Sequence, residues 1–166
     1  SPSGVQEKDL NLAMAFMLRG ELLKRGAKVV MSRTDDRDLT MAERKRVFSE
    51  AGVDLLVSVH CNAGGNPFMP GGTSTYYRHV EYRDLAVCIL NRLLKKEGIK
   101  NFGLVGNFNF ALNAPTYYPS VLVETLFMSS LPDEEMLLDV NNQREMMQSV
   151  AKGIGDYLKI VRKSTR

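Results

Sequence analysis

The sequence has few of the side chains that bind transition metals most readily. Its 166 residues include only two histidines, His60 and His79, and two cysteines, Cys61 and Cys88. A structural zinc site made of Cys and His pairs would use all four, and they lack the close paired spacing that such a site requires. Any metal site in this chain must therefore include carboxylates.

Long apolar runs and a dominant charge are also missing. No apolar run approaches the roughly 20 residues of a membrane span, which excludes membrane insertion. The 22 Lys and Arg residues are interleaved with 19 Asp and Glu residues, so nucleic acid is not an expected partner. With 44% hydrophobic and 25% charged residues, the composition predicts a folded single domain over 1–166.

A signal peptide is absent from the chain as well. The first residues, Ser-Pro-Ser-Gly, contain no basic start followed by an apolar segment. The chain also begins without methionine, and we expect it to be part of a longer protein. The two cysteines do not settle the redox compartment, because one disulfide and two thiols are both compatible with the count.

Helical and strand patterns alternate along the chain, which predicts an α/β fold. Helices are predicted over 8–25, 40–51, 82–97 and 133–163, the last as one short and one long helix. Thr40 and Glu43 match a capping box at the start of the second helix. Strands are predicted at 27–31, 54–60, 73–77, 110–112 and 120–124, with loops at 62–72 and 101–109.

Three ionisable side chains lie where open α/β sheets bind ligands, near the carboxyl ends of the strands. His60 ends one apolar strand and Glu124 ends another, while Glu7 precedes the first helix. An ionisable side chain that closes a buried strand is costly unless it is paired or bound to a metal. The alternatives are a first-turn acid for Glu7, a hydrogen-bonded strand-end histidine for His60, and an ion pair with Arg33 or Arg44 for Glu124.

Other candidates have less support. Cys61, beside His60, is either a reactive thiol or a small half-buried residue, and we favour the second interpretation. His79 lies in a polar stretch, and we expect it at the surface. No Gly-x-Ser-x-Gly sequence is present, so serine nucleophile chemistry is poorly supported.

The segments 5–13, 26–36, 54–63 and 119–127, together with Arg44, form an ordered set of motifs. They include Glu7-Lys8, the Ser-Val-His60-Cys-Asn62 sequence and the Val-Leu-Val-Glu124 sequence. In this order the motifs resemble the zinc-dependent N-acetylmuramoyl-L-alanine amidases of bacterial cell walls, over essentially the whole chain. The resemblance implies a mostly parallel, twisted central sheet flanked by helices.

The resemblance also implies roles for particular residues. Two of the three zinc ligands of the family fall on Glu7 and His60, and Asn62 is implied as a substrate-binding residue. The third ligand, a histidine after the first strand, is missing together with that strand, and we expect both before Ser1. Two ligands predict weak or absent zinc binding by this chain. The family's catalytic glutamate falls on Glu124, as general base and then acid.

The function implied is hydrolysis of the amide between the lactyl group of N-acetylmuramic acid and L-alanine in peptidoglycan. That activity serves cell-wall degradation and cell division, in the periplasm or at the cell surface. A catalytically incompetent cell-wall binding or regulatory module on the same fold is the alternative, and another metallohydrolase of similar geometry is a third. We expect a monomer whose partner is peptidoglycan, and a protein activator is not identifiable from the sequence. Candidates for sugar contact, or else core residues, are Tyr76, Tyr77, Phe108 and Phe110.

Overall fold

The computed structural model describes residues 1–164. The helices are α1 (Glu7–Leu23), α2 (Met41–Ala51), α3 (Arg83–Leu93), α4 (Leu131–Leu138) and α5 (Val140–Ser164). The strands are β1 (Leu56–Asn62), β2 (Thr73–Tyr76), β3 (Asn101–Val105) and β4 (Ser120–Phe127), and short 3-10 turns cover Val80–Tyr82 and Ala111–Asn113. Among the described residues, no helix has the length and apolar character needed to cross a membrane.

The four strands form one sheet in the order β1, β4, β2, β3. β1 runs parallel to β4 and β2 runs parallel to β3, whereas β2 and β4 are antiparallel. Two of the three strand pairings are therefore parallel, which confirms the expected mostly parallel sheet flanked by helices. Because β1 and β4 are parallel, with His60 paired to Glu124, their carboxyl ends lie at the same edge of the sheet.

The hydrophobic core lies on the face of the sheet that α1, α3 and α5 cover. Val121 and Val123 of β4 belong to this core together with apolar residues of all three helices. Gly153 of α5 permits a close approach to α3, because a Cβ at that position would lie 2.6 Å from the Cα of Ile89. Burial of these apolar side chains is the main favourable contribution to folding.

His60 and Glu124 lie on the opposite face of the sheet. Val57, Val59 and Val123 pack against or within the core, and successive side chains of a strand point to opposite faces. The residues between and after these valines, His60 and Glu124 among them, consequently face away from the three-helix layer. The sheet thus separates a dry core from a face that carries the ionisable residues.

Local sequence signals account for several of these elements. The capping box of α2 is confirmed: Thr40 Oγ1 accepts a hydrogen bond from the Glu43 amide at 3.2 Å, and the Glu43 carboxylate accepts one from the Thr40 amide at 2.7 Å. The strands predicted at 54–60, 73–77 and 120–124 correspond to β1, β2 and β4. The helix predicted over 82–97 ends earlier, at Leu93.

Two strand predictions are wrong. The segment 27–31 forms no strand: Val30 is 45% exposed, and the edge strand β1 pairs only with β4 among the described residues. The segment 110–112 forms no strand either, because residues 111 and 112 belong to the 3-10 turn Ala111–Asn113. The predicted loop 101–109 contains β3, because backbone pairing with β2 outweighs the poor strand propensity of Asn101 and Gly103.

Candidate functional site

Glu7 and His60 lie in direct contact at the carboxyl end of β1. His60 Nδ1 donates a hydrogen bond to Glu7 Oε1 at 3.0 Å, and the amide of Cys61 donates to the same oxygen at 3.3 Å. Asn11, one turn further along α1, donates from Nδ2 to Glu7 Oε1 at 2.8 Å. The first turn of α1 thus delivers a fixed carboxylate to the strand end.

The second nitrogen of the imidazole has its own partner. Ser58 Oγ lies 3.0 Å from His60 Nε2, and the two residues share a face of β1 because they are two positions apart. When Nδ1 carries the proton toward Glu7, the Ser58 hydroxyl donates to Nε2. Ser58 and Glu7 together hold the ring between them and set its orientation.

The surroundings favour a charged Glu7. The hydrogen bond from His60, followed by those from Asn11 and Cys61, lowers the pKa of Glu7 to about 2, against an opposing effect of burial. Both side chains remain reachable from solvent, with 37% of His60 and 40% of Glu7 exposed. An ionised carboxylate and an imidazole therefore stand side by side at an open edge.

Glu124 experiences the opposite environment. Burial raises the pKa of this carboxyl to about 7, with a further upward contribution from the charge of Glu7 and a downward one from His60. No ion pair of Glu124 with Arg33 or Arg44 forms within residues 1–164, since Arg33 donates to backbone carbonyls and Arg44 donates to Leu39 O. A half-buried carboxyl with a pKa of about 7 is suited to general acid and base chemistry.

The donor set of Glu7 and His60 fits zinc in type and spacing. Two ligands of a tetrahedral zinc ion, with bonds of about 2.0–2.2 Å, lie about 3.3 Å apart, and His60 Nδ1 lies 3.0 Å from Glu7 Oε1. Among the described residues, however, no group of three His, Cys, Asp or Glu side chains is placed to hold a metal ion. The structure brings together Glu7 and His60, the two residues that the sequence predicted as ligands.

The loop that follows β1 is fastened to the segment that follows β4. Asn62 O accepts from the Met128 amide at 2.9 Å, and the Ser129 hydroxyl bridges the amide and carbonyl of Gly64 at 2.8 and 2.9 Å. Further on, Ser130 Oγ donates to Met69 O at 2.9 Å. The side chain of Asn62 accepts from the neighbouring Ala63 amide. These hydrogen bonds join the segment that follows His60 to the segment that follows Glu124.

Asp133 is a site-supporting residue that the sequence did not reveal. It is 2% exposed, and its Oδ2 accepts hydrogen bonds from the amides of Gly71, Gly72 and Phe127 at 3.1, 2.9 and 3.0 Å. One carboxylate oxygen thus ties the end of the long loop to the end of β4. No local pattern could have indicated this, because two of the three donors are more than 60 positions away in the chain.

The weaker candidates have structural roles. Cys61 is 4% exposed and burial raises its pKa to about 12, so it is a packed thiol and not a nucleophile. His79 is only partly exposed and contacts Ala114 O from Nε2 at 3.0 Å, so its expected surface position is only partly met. Tyr76 is 8% exposed and packs edge-on against Phe108 and Phe110, which favours the core interpretation for this residue.

The fold is a mostly parallel α/β sheet that carries an imidazole, an ionised carboxylate and a half-buried carboxyl at one edge, a set of groups suited to hydrolysis. The chain belongs to the N-acetylmuramoyl-L-alanine amidase family, whose model matches residues 1–156. Members of this family are hydrolases. The predicted family, fold class and enzyme class are thus confirmed.

Individual relatives are similar to this chain over most of its length. The chain is 33% identical over 159 residues to the uncharacterized protein YqiI of Bacillus subtilis, covering 93% of this chain and 76% of that protein. It is 30% identical over 159 residues to the N-acetylmuramoyl-L-alanine amidase LytC of the same species, covering 93% of this chain and 32% of LytC. The catalytic domain of CwlV, an N-acetylmuramoyl-L-alanine amidase from Bacillus (Paenibacillus) polymyxa, superposes with a TM-score of 0.85 at 30% identity, covering 94% and 87% of the two chains.

Proposed function

We propose that residues 1–166 belong to one catalytic domain, which hydrolyses the amide between the lactyl group of N-acetylmuramic acid and L-alanine in peptidoglycan. The observation that carries this proposal is the pairing of His60 with Glu124 across β1 and β4, with Glu7 hydrogen-bonded to His60. The side chains proposed as two metal ligands and one proton carrier thus share a single sheet edge. Such a substrate places the protein at the cell wall, in the periplasm or at the cell surface.

Glu7 and His60 are the residues that would hold zinc. Bound zinc supplies Lewis-acid chemistry that polarises the amide carbonyl and makes water a better nucleophile. Ser58 supports His60 in this role, because its hydroxyl can accept a hydrogen bond from Nε2 when Nδ1 is turned toward a ligand. Once His60 Nδ1 is turned toward a metal, the hydrogen bonds that Asn11 and the Cys61 amide donate to Glu7 Oε1 would continue to favour the ionised carboxylate.

Glu124 carries the proton transfers. Its carboxylate accepts a proton from the attacking water as the new carbon–oxygen bond forms at the lactyl carbonyl. The protonated carboxyl then delivers that proton to the nitrogen of L-alanine as the carbon–nitrogen bond breaks. The products are a free lactyl carboxyl group and a stem peptide with a free amino terminus.

Asn62 is proposed as a substrate contact. It ends β1 two residues after His60, and its backbone and side chain anchor the start of the loop that flanks the site. This position suits an amide side chain that orients a polar group of the peptide or glycan. The proposal predicts that Asn62→Ala raises KM more than it lowers kcat.

The test of the proposed function is peptidoglycan hydrolysis by the full-length protein supplied with zinc. Glu124→Gln keeps the size of the side chain and removes its proton chemistry, so the rate of stem-peptide release is expected to fall at least about 100-fold. Glu135→Gln, an exposed acid on α4, is a matched control and is expected to have no effect. Unchanged hydrolysis by Glu124→Gln would show that another residue is the base.

A non-catalytic peptidoglycan-binding module is the second candidate function. It is favoured by the absence, within residues 1–164, of a third metal-ligating side chain beside Glu7 and His60. This candidate predicts that the wild-type protein sediments with purified peptidoglycan but releases no stem peptide at any zinc concentration. The catalytic proposal predicts release that depends on zinc.

A further inference from the structure

Three residues form a row across the site face of the sheet. His60 of β1 is paired with Glu124 of β4, and Glu124 is paired in turn with Ser74 of β2. Directly opposed residues on neighbouring strands present their side chains on the same face. Ser74 therefore flanks Glu124 on the side opposite to His60.

Two atoms in this row lack a hydrogen-bond partner. Ser74 is 0% exposed, and neither its Oγ nor Glu124 Oε2 has a partner among the described residues. A buried polar atom without a partner is destabilising, because it has lost its hydrogen bonds to water without replacement. The Ser74 hydroxyl can donate a hydrogen bond and the Glu124 carboxylate oxygen can accept one. The two residues lie directly opposite each other on β2 and β4.

The separation of the two side chains allows direct contact. Opposed residues of an antiparallel pair have Cβ atoms about 4.5–5.5 Å apart, and a hydroxyl rotor on one side with a flexible glutamate on the other can span that gap. The strand backbones are fixed nearby, since Thr73 Oγ1 donates to Glu124 O at 3.0 Å. From this register we infer that rotation of the two side chains would bring the donor and the acceptor together.

We propose that Ser74 is a positioning residue for Glu124, whose hydroxyl donates a hydrogen bond to the carboxylate during the reaction. The bond holds the carboxylate in one orientation and leaves its second oxygen for the water and the leaving amine. Ser74 acts through Glu124 and does not touch the substrate, because its side chain is fully buried. This inference rests on the proposed function of Glu124 as general base.

A spectroscopic test is independent of catalysis. In protein labelled with ¹³C at the glutamate carboxyls, the infrared difference between wild type and Glu124→Gln at alkaline pH isolates the carboxylate band of Glu124. Ser74→Ala is expected to move the antisymmetric stretch to higher frequency, because it removes a donor. The control is Ser120→Ala, which deletes another buried and unpartnered hydroxyl on the same strand as Glu124 and is expected to leave the band in place.

A kinetic test follows from the same contact. Ser74→Ala is expected to lower kcat about tenfold with KM unchanged, the effect of one hydrogen bond to a charged group, whereas Ser74→Thr retains the hydroxyl and should restore most of the rate. In the Glu124→Gln background, Ser74→Ala is expected to have no further effect. Ser120→Ala should match wild type.

The two tests separate the two proposals. An unmoved Glu124 band in Ser74→Ala overturns the positioning role, whether or not the protein cleaves peptidoglycan. A moved band in a protein that never releases stem peptide supports the hydrogen bond and contradicts the amidase function. A moved band with unchanged kcat in an active protein also overturns the positioning role, since the contact then has no effect on the reaction.

Discussion

The imidazole of His60 donates from Nδ1 to Oε1 of Glu7 at 3.0 Å, although 53 positions separate the two residues in the chain. The contact joins the first turn of α1 to the end of β1. It brings one nitrogen and one oxygen atom to about the spacing that two ligands of tetrahedral zinc have. We consider this pair to be the centre of the candidate active site.

The metal content of the chain follows from this pair. Two protein ligands do not make the three-ligand site typical of catalytic zinc, so residues 1–166, dialysed against zinc-free buffer, are expected to retain well under one zinc per chain. Elemental quantification measures this directly. A full equivalent retained after dialysis would show that the chain supplies a third ligand.

A variant of Glu7 tests whether this residue binds zinc. Glu7→Gln is expected to weaken zinc binding, measured by competition with a chromophoric chelator, because a neutral amide replaces an ionised ligand. Glu50→Gln alters an exposed acid on α2 and serves as the matched control. Equal affinities in the two variants would exclude Glu7 as a ligand.

Asp133 is expected to be a major contributor to stability. Asp133→Asn weakens three hydrogen bonds to a buried carboxylate, and we predict a loss of about 3 kcal/mol in the free energy of unfolding, measured by urea denaturation. Asp54→Asn, at an exposed position, is expected to change it by less than about 0.5 kcal/mol. Similar values for the two variants would contradict the role assigned to the Asp133 hydrogen bonds.

The acid stability of the protein should depend on Glu21. Hydrogen bonds from Arg25 and then Lys24 lower the pKa of this carboxyl to about 2 from an ordinary value of 4.5. A lowered pKa in the folded state stabilises the fold above pH 4.5, and that contribution is lost as the pH falls toward 2. Between pH 4.5 and pH 2 the unfolding temperature Tm of Glu21→Gln is therefore expected to fall by less than the Tm of wild type. An identical decrease would rule out this contribution.

The sequence predicted those parts of the structure that depend on local signals. The capping box of Thr40 and Glu43 needs only four consecutive residues. The strands that end near His60 and Glu124 are recognisable from their short runs of apolar residues. Motif order supplied the pairing of Glu7 with His60, which no local pattern contains. That pairing and the position of Glu124 beside it are the core of the site.

The remaining features depend on tertiary contacts. β3 is a strand because β2 lies beside it, although Asn101 and Gly103 suggest a loop, and 27–31 is not a strand although its valines favour one. The role of Asp133 arises from donors distant in sequence. Ser74 became a candidate only when the sheet register placed it next to Glu124.

The identity of the cleaved bond distinguishes the proposed amidase activity from other ways of degrading peptidoglycan. Purified peptidoglycan is digested with the full-length protein and zinc, and mass spectrometry with amino-terminal labelling identifies the new ends. We expect stem peptides whose new amino terminus is L-alanine, released from intact glycan strands, with none in the Glu124→Gln digest. New reducing sugar ends, or peptide cuts that leave L-alanine attached to the lactyl group, would contradict it.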